Sequence, residues 1–159
     1  MKLKYIYKLI ISVVACQGAG LIGSLFTASA IPTWYATLQK PFFTPPNWLF
    51  APAWFTLYLL MGVSASLVWQ QGFDAGKVKK ALIIFLIQLV INALWSVVFF
   101  GFESILSGMV VIIVLWMVIL LTILRFYKIS ALAGTLMLPY ILWVTFATVL
   151  NVSLFVLNH

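Results

Sequence analysis

Residues 79–101 read KKALIIFLIQLVINALWSVVFFG, and after Lys79 and Lys80 no charged side chain appears until Glu103. A helix rises about 1.5 Å per residue, so about 20 apolar residues cross the hydrocarbon core of a bilayer. The stretch is therefore a membrane-spanning helix. Within it Gln88, Asn92, Trp95 and Phe99 recur at i, i+4, i+7 and i+11, one helical face. Gln88 and Asn92 fall near the bilayer midplane, where an amide without a partner is strongly disfavoured. The face must turn toward other helices, as polar adhesive between them or as the wall of a pocket. Gln88 suits the first role and Asn92 the second.

Four further runs have the same character. Taken together the spans cover about residues 6–29, 47–70, 79–101, 105–126 and 131–157. With 65% hydrophobic and 7% charged residues and a mean hydropathy of +1.21, the chain is far from a soluble domain, about a quarter of which is charged. The expected fold is an all-α membrane protein, a five-transmembrane-helix bundle. It forms a single domain over 1–159, because the connections after the second helix are too short to hold another. No internal repeat or low-complexity tail is visible.

The cations set an expected orientation. With the N-terminus cytoplasmic, the inner side carries Lys2, Lys4, Lys8, Lys77, Lys79, Lys80, Arg125 and Lys128, and the outer side only Lys40. That bias predicts a multi-pass protein with its N-terminus inside and its C-terminus outside. It also accounts for the net charge of +7 by proximity to anionic headgroups rather than to nucleic acid. Lys2–Lys8 followed by an apolar run mimics a signal peptide, and Val13-Val14-Ala15-Cys16 mimics a lipoprotein processing site. The apolar run continues past Cys16 to Ile31 with no polar start, so a retained first helix is expected. Cys16 is the only cysteine, which leaves the redox compartment unreadable.

Catalytic chemistry has little to work with. The two acids, Asp74 and Glu103, lie in loops, and the sole histidine is His159. No ionisable relay crosses the membrane, no residue cluster suits a metal, and no base stands near a nucleophile. No metal and no cofactor are expected, and a proton-coupled pump or hydrolase is disfavoured.

Binding is better represented. Residues Trp34–Leu60 hold three Trp, four Phe, two Tyr and four Pro with one charge, Lys40. Proline restricts the backbone and aromatics supply area with few rotors to freeze, so the 30–46 loop is expected to be structured and to cover a pocket for a flat, apolar ligand. Trp54, Tyr58, Met61 and Ala65 form one stripe, and Tyr140, Trp143, Ala147 and Asn151 another. With the topology above, Asn92, Trp95, Trp54 and Trp143 lie beneath that loop, and the pocket opens on the outer side. In the first span Ala15, Ala19, Gly23 and Thr27 form a small-residue stripe that allows close helix approach. Pro139 cannot donate to the carbonyl of Thr135, so a kink is expected there. Trp69, near the inner boundary, reads as an interfacial residue; Trp116 reads as interfacial or as packing.

Three local patterns complete the reading: W-Y-x-x-L-x-K-P-x-x-x-P-P at 34–46 leading to Trp54 and Tyr58, Q-L-x-x-N-x-x-W-x-x-x-F-F at 88–100, and P-Y-x-x-W-x-x-x-A-x-x-L-N at 139–151. With the length and the five spans, they resemble the translocator protein family (TspO/MBR), also called tryptophan-rich sensory proteins or peripheral-type benzodiazepine receptors. The resemblance implies a five-helix bundle, often a homodimer, that binds porphyrins, sterols and benzodiazepine-type ligands beneath the first loop. It implies a ligand-binding set of Tyr35, Pro45, Trp54, Tyr58, Asn92, Trp95, Trp143 and Ala147. Trp54 and Trp143 match the tryptophans linked in some bacterial members to light-dependent porphyrin breakdown, and so are the catalytic candidates if the protein is an enzyme. Animal members end the fifth helix with a Tyr and a basic residue proposed to bind cholesterol. Leu150–His159 has neither, which argues against sterol recognition there and favours a tetrapyrrole partner in a bacterial cell membrane. Lys40 could meet a propionate at the mouth or serve as an interfacial anchor. Three functions remain open at this point: a porphyrin-binding sensor or regulator, a photo-oxidative porphyrin-degrading enzyme, and a passive transporter.

Overall fold

The computed structural model describes residues 2–159. All regular structure in those residues is helical, and five helical segments are long and apolar enough to cross a membrane. We label the helices α1 (Lys2–Ala30), α2 (Asn47–Gln70), α3 (Gly76–Ser96), α4 (Ile105–Tyr127), α5 (Ala131–Leu136) and α6 (Leu138–Leu157). The first span is longer than the expected 6–29. α1 passes directly into a π-helical turn, Ile31–Tyr35, and a continuous helical path reaches Thr37. Pro32 lies in that turn. Lacking an N–H and crowding the carbonyl four residues back, it favours the wider turn over ordinary α-helix. The expected loop 30–46 is accordingly reduced to the stretch from 38 to 46.

A second π turn, Val97–Gly101, extends α3, closed by Phe102 N–H donating to the Val97 carbonyl at 3.0 Å. A wider turn advances each residue by a smaller angle, so Phe99 and Phe100 both reach the interior side. The expected break near Pro139 lies at Met137, between α5 and α6. There Met137 N–H turns to the Gly134 carbonyl at 3.2 Å. The Ala133 carbonyl, released from the helical ladder, accepts instead from Ser64 Oγ of α2 at 2.7 Å.

α1 and α2 meet through glycine. A methyl at Gly62 would lie 2.6 Å from the Val13 Cα, and one at Gly20 would lie 2.6 Å from the Tyr58 ring. Gly23 faces Ser96 of α3. The small-residue stripe thus packs within the bundle, but on a shifted face. Ala15 is exposed, whereas Cys16 and Gly23 are buried, because the contact follows the crossing partners rather than a strict four-residue step. Lys8 Nζ donates to the Trp69 carbonyl at 3.2 Å and lies 5.4 Å from its ring, covering the C-terminal end of α2, where a helix dipole favours a cation. Trp116 is a packing residue: its Nε1 donates to Thr145 Oγ1 at 2.8 Å, joining α4 to α6.

The 38–46 connection is tied down at its start. Gln39 N–H donates to Asn158 Oδ1, and Asn158 Nδ2 donates to the Gln39 carbonyl, both at 2.8 Å. Leu38 and Phe43 pack on a buried cluster that includes Tyr35, Leu150 and Leu154.

Gly62→Ala should destabilise the bundle by about 1–3 kcal/mol, since neither backbone can yield without moving a helix. Gly18→Ala, where no atom lies within 4 Å of the added methyl, should be neutral or slightly stabilising. Thermal unfolding of both variants in one detergent checks the pair.

Candidate ligand cavity

Four neutral polar side chains deep in the bundle form a single hydrogen-bonded line. The Tyr58 hydroxyl (α2) donates to Asn92 Oδ1 (α3). Asn92 Nδ2 donates to the Tyr140 hydroxyl oxygen (α6) at 2.6 Å, and the Tyr140 hydroxyl donates to Gln88 Oε1 at 2.8 Å. Gln88 Nε2 ends the line 3.8 Å from Met61 Sδ. Tyr58, Asn92, Gln88 and Tyr140 are all buried. Each finds in a neighbouring helix the partner that hydrocarbon denies it.

One helical turn toward the 38–46 loop, an aromatic layer sits on this line. Trp54 is at its centre. Its ring centroid lies 5.6 Å from Tyr58, 6.3 Å from Tyr140, and 6.5 Å from both Trp95 and Trp143. It is tilted by 33° to Trp95 and nearly perpendicular to Trp143, at 86°. Trp95 stacks on Phe99 at 5.4 Å and 19°, and Trp143 meets Phe50 and Phe146 edge-on or tilted.

Above and beside this layer is a cavity of about 460 Å³, within the range of small-molecule sites. Of the residues expected to bind ligand, Tyr35, Trp54, Tyr58, Trp95, Trp143 and Ala147 line it. Two do not. Asn92 lies below the wall with both ends of its amide committed to tyrosines, so in this structure it builds the floor rather than the surface. Pro45 is also off the wall. Helical residues reach that end first, with Ile31 and Tyr35 on one side and Asn47 on the other, and the loop packs outside them. Gln88, read as adhesive, is the last amide of the buried line.

The opening also differs from the expectation of a mouth under the loop. The exposed lining residues are Leu21, Ser24 and Ala28 of α1 and Asn47, Ala51 and Phe55 of α2. The cavity therefore opens sideways between α1 and α2. The two helices are held together below it by the Gly20–Tyr58 contact and by Gln17 Nε2 donating to the Phe55 carbonyl at 3.0 Å.

Sequence reading missed Phe50, Phe100 and Phe146, which also line the cavity. Phe50 and Phe146 stand at i−4 from Trp54 and i+3 from Trp143, a spacing that marks one helical face. Phe100 carried no such signal, since only the π turn brings it inward.

Comparison with known proteins settles the lineage. The sequence profile of the TspO/MBR family matches residues 12–157. The chain belongs to the TspO/MBR family. It is 46% identical over 153 residues to a tryptophan-rich protein TspO of Archaeoglobus fulgidus, covering 96% of this chain and 98% of that one. It is 35% identical over 144 residues to a tryptophan-rich sensory protein of Cereibacter sphaeroides, covering 91% and 87% of the two chains. It is 35% identical over 141 residues to the translocator protein of Homo sapiens, covering 87% and 82%. Family membership and five apolar spans make this chain an integral, multi-pass member of a group of membrane sensors and translocators.

Asn92→Ala leaves Tyr58 without its acceptor and removes a donor from Tyr140. We expect it to lower stability by on the order of 1–3 kcal/mol, seen as an earlier thermal transition, with a smaller effect on ligand affinity than any substitution in the aromatic layer above.

Proposed function

We propose that this TspO/MBR family member is a membrane receptor or sensor that takes a flat, apolar ligand, a porphyrin or related tetrapyrrole, into the α1–α2 cavity. The observation that carries the reading is the aromatic layer around Trp54. A tetrapyrrole offers a broad π-face, and offset or edge-on rings at these separations are the arrangements that π-systems favour. Carboxylates have no place in so apolar a space. Propionates would project through the opening between α1 and α2 or lie toward Lys40, whose Nζ stands 4.7 Å from the centre of the Tyr35 ring. Transport or hand-over of the ligand would use the same opening, which lies within the spans.

The test is a titration of purified protein with protoporphyrin in the dark, followed by the shift of the porphyrin's own Soret band. Trp54→Phe and Trp143→Phe should each weaken binding by about 3- to 10-fold, the loss expected for an aromatic contact of about 0.5–1.5 kcal/mol. Equal, unsaturable spectral change in all three proteins would mean nonspecific partitioning, and the porphyrin assignment would fall.

A second reading rests on the crowding of oxidisable rings. Trp54 touches two tyrosines and two tryptophans, so an excited porphyrin beside it would meet electron donors. Photo-oxidative degradation with Trp54 and Trp143 as reacting groups predicts light- and oxygen-dependent product beyond one equivalent per protein. A receptor gives at most a stoichiometric reaction.

We also propose that the lysine-rich end is cytoplasmic and the 38–46 loop outside, from the distribution of cations. Phe42 is fully exposed and the only native cysteine, Cys16, is buried. Phe42→Cys should react with a membrane-impermeant maleimide on intact cells while the wild type does not. Labelling only after the membrane is opened would reverse the orientation.

A further inference from the structure

The end of the bundle away from the 38–46 loop carries most of the charge of the molecule. Lys2, Lys4 and Lys8 begin α1, Lys77, Lys79 and Lys80 begin α3, and Arg125 and Lys128 close α4. One acid, Asp74, lies among them, while Glu103 stands at the opposite end, between α3 and α4. Nearly all of these cations therefore lack a carboxylate in the chain to pair with. Lys8 is engaged with the Trp69 carbonyl; the others are exposed.

Depth concentrates this charge. α1 and α3 run in the same direction and touch where Gly23 faces Ser96. Both rise about 1.5 Å per residue. Counting back equally from that contact, Lys4 on α1 and Lys77 on α3 reach closely similar depth. The first turns of both helices hold no acid, so the positive ends of two helix dipoles add to the excess rather than being offset. Like charges gathered at one level repel one another, and an external anion relieves them. The surface between the cations says what kind of anion. Leu3, Tyr5, Ile6 and Tyr7 are 45–78% exposed, and Ile83 and Leu124 are also exposed on the adjoining turns of α3 and α4. A soluble anion would satisfy the lysines and leave this apolar surface bare. An amphiphile with a phosphate above acyl chains matches both.

We propose that this collar is a binding surface for anionic phospholipids, with Lys2 and Lys4 of α1 and Lys77, Lys79 and Lys80 of α3 as its headgroup contacts. The protein then gathers anionic lipid at this end in preference to zwitterionic lipid. Orientation concerns which side of the membrane the lysines face; this inference concerns which lipid they hold, and it is independent of the ligand cavity.

Spin-labelled phosphatidylglycerol and phosphatidylcholine provide the test, each added to nanodiscs of the full-length protein. Both leaflets share one composition, so orientation does not enter. Lipid immobilised on the protein, read from the electron paramagnetic resonance spectrum, should favour phosphatidylglycerol by about 2- to 5-fold, the upper figure being one cation at about 1 kcal/mol. The preference should fall as salt rises. Lys77→Gln, Lys79→Gln and Lys80→Gln together should remove most of it, and Arg at the same three positions should keep it. In phosphatidylcholine the Gln variant should melt no lower than wild type, since only unrelieved repulsion is lost. Adding phosphatidylglycerol should then raise the wild-type transition more than the variant's. Equal association of the two lipids with wild type overturns the proposal, as does a preference that the Gln variant retains in full. Equal losses in the Gln and Arg variants also overturn it, because charge is then not what holds the lipid. Glycerol phosphate carries the anion without the chains and, at constant ionic strength, should not displace phosphatidylglycerol. Displacement would make the occupant a soluble anion and overturn the lipid assignment.

Discussion

The hydrogen-bonded line Tyr58–Asn92–Tyr140–Gln88 sets the geometry on which the candidate site depends. Inside a bilayer, helices gain little by hiding apolar surface from one another, so packing and interhelical hydrogen bonds must set their relative depth. This line fixes α2, α3 and α6 at a common level. The consequence appears one turn away. Trp54 precedes Tyr58 by four residues in α2, Trp95 follows Asn92 by three in α3, and Trp143 follows Tyr140 by three in α6. Because α2 runs opposite to the other two, all three tryptophans lie on the loop side of the line, in one layer. A sideways slip of any helix would break a buried hydrogen bond and disperse that layer together.

The cavity exists because α1 and α2 touch closely at one end and separate toward the other. Gly62 lets α1 approach to backbone contact at Val13, and Gly20 accepts the face of Tyr58. Beyond these points small side chains on α1, among them Gly23, Ser24 and Ala28, leave volume that the large rings of α2, α3 and α6 surround but do not fill. The resulting opening lies among residues of the spans themselves. The opening is separate from the loop, which is clasped to the end of α6 through Gln39 and Asn158.

Much of this was legible in the residues. Long uncharged runs permit few structures in hydrocarbon besides helices, and the stripes Gln88–Asn92–Trp95–Phe99 and Tyr140–Trp143–Ala147–Asn151 follow directly from helical periodicity. Legibility ended where a residue's role depends on what faces it. Asn92 was read as pocket wall because its phase and depth are right, but two tyrosines from other helices claim its amide. Pro45 was placed by its motif, and the helical extension to Tyr35 leaves it outside the wall. The first span was placed at about 6–29, whereas a π turn carries the helix on through Pro32, a continuation that hydropathy alone does not mark.

By itself, the sequence determined the class of fold, the number of spans and which helix faces turn inward, because hydropathy and a 3.6-residue period act locally along the chain. Only the tertiary structure decided that the cavity opens between α1 and α2 and that Asn92 supports the site from below. Each of those depends on which side chain of another helix occupies the adjoining space. Periodicity within one helix carries no information about that neighbour.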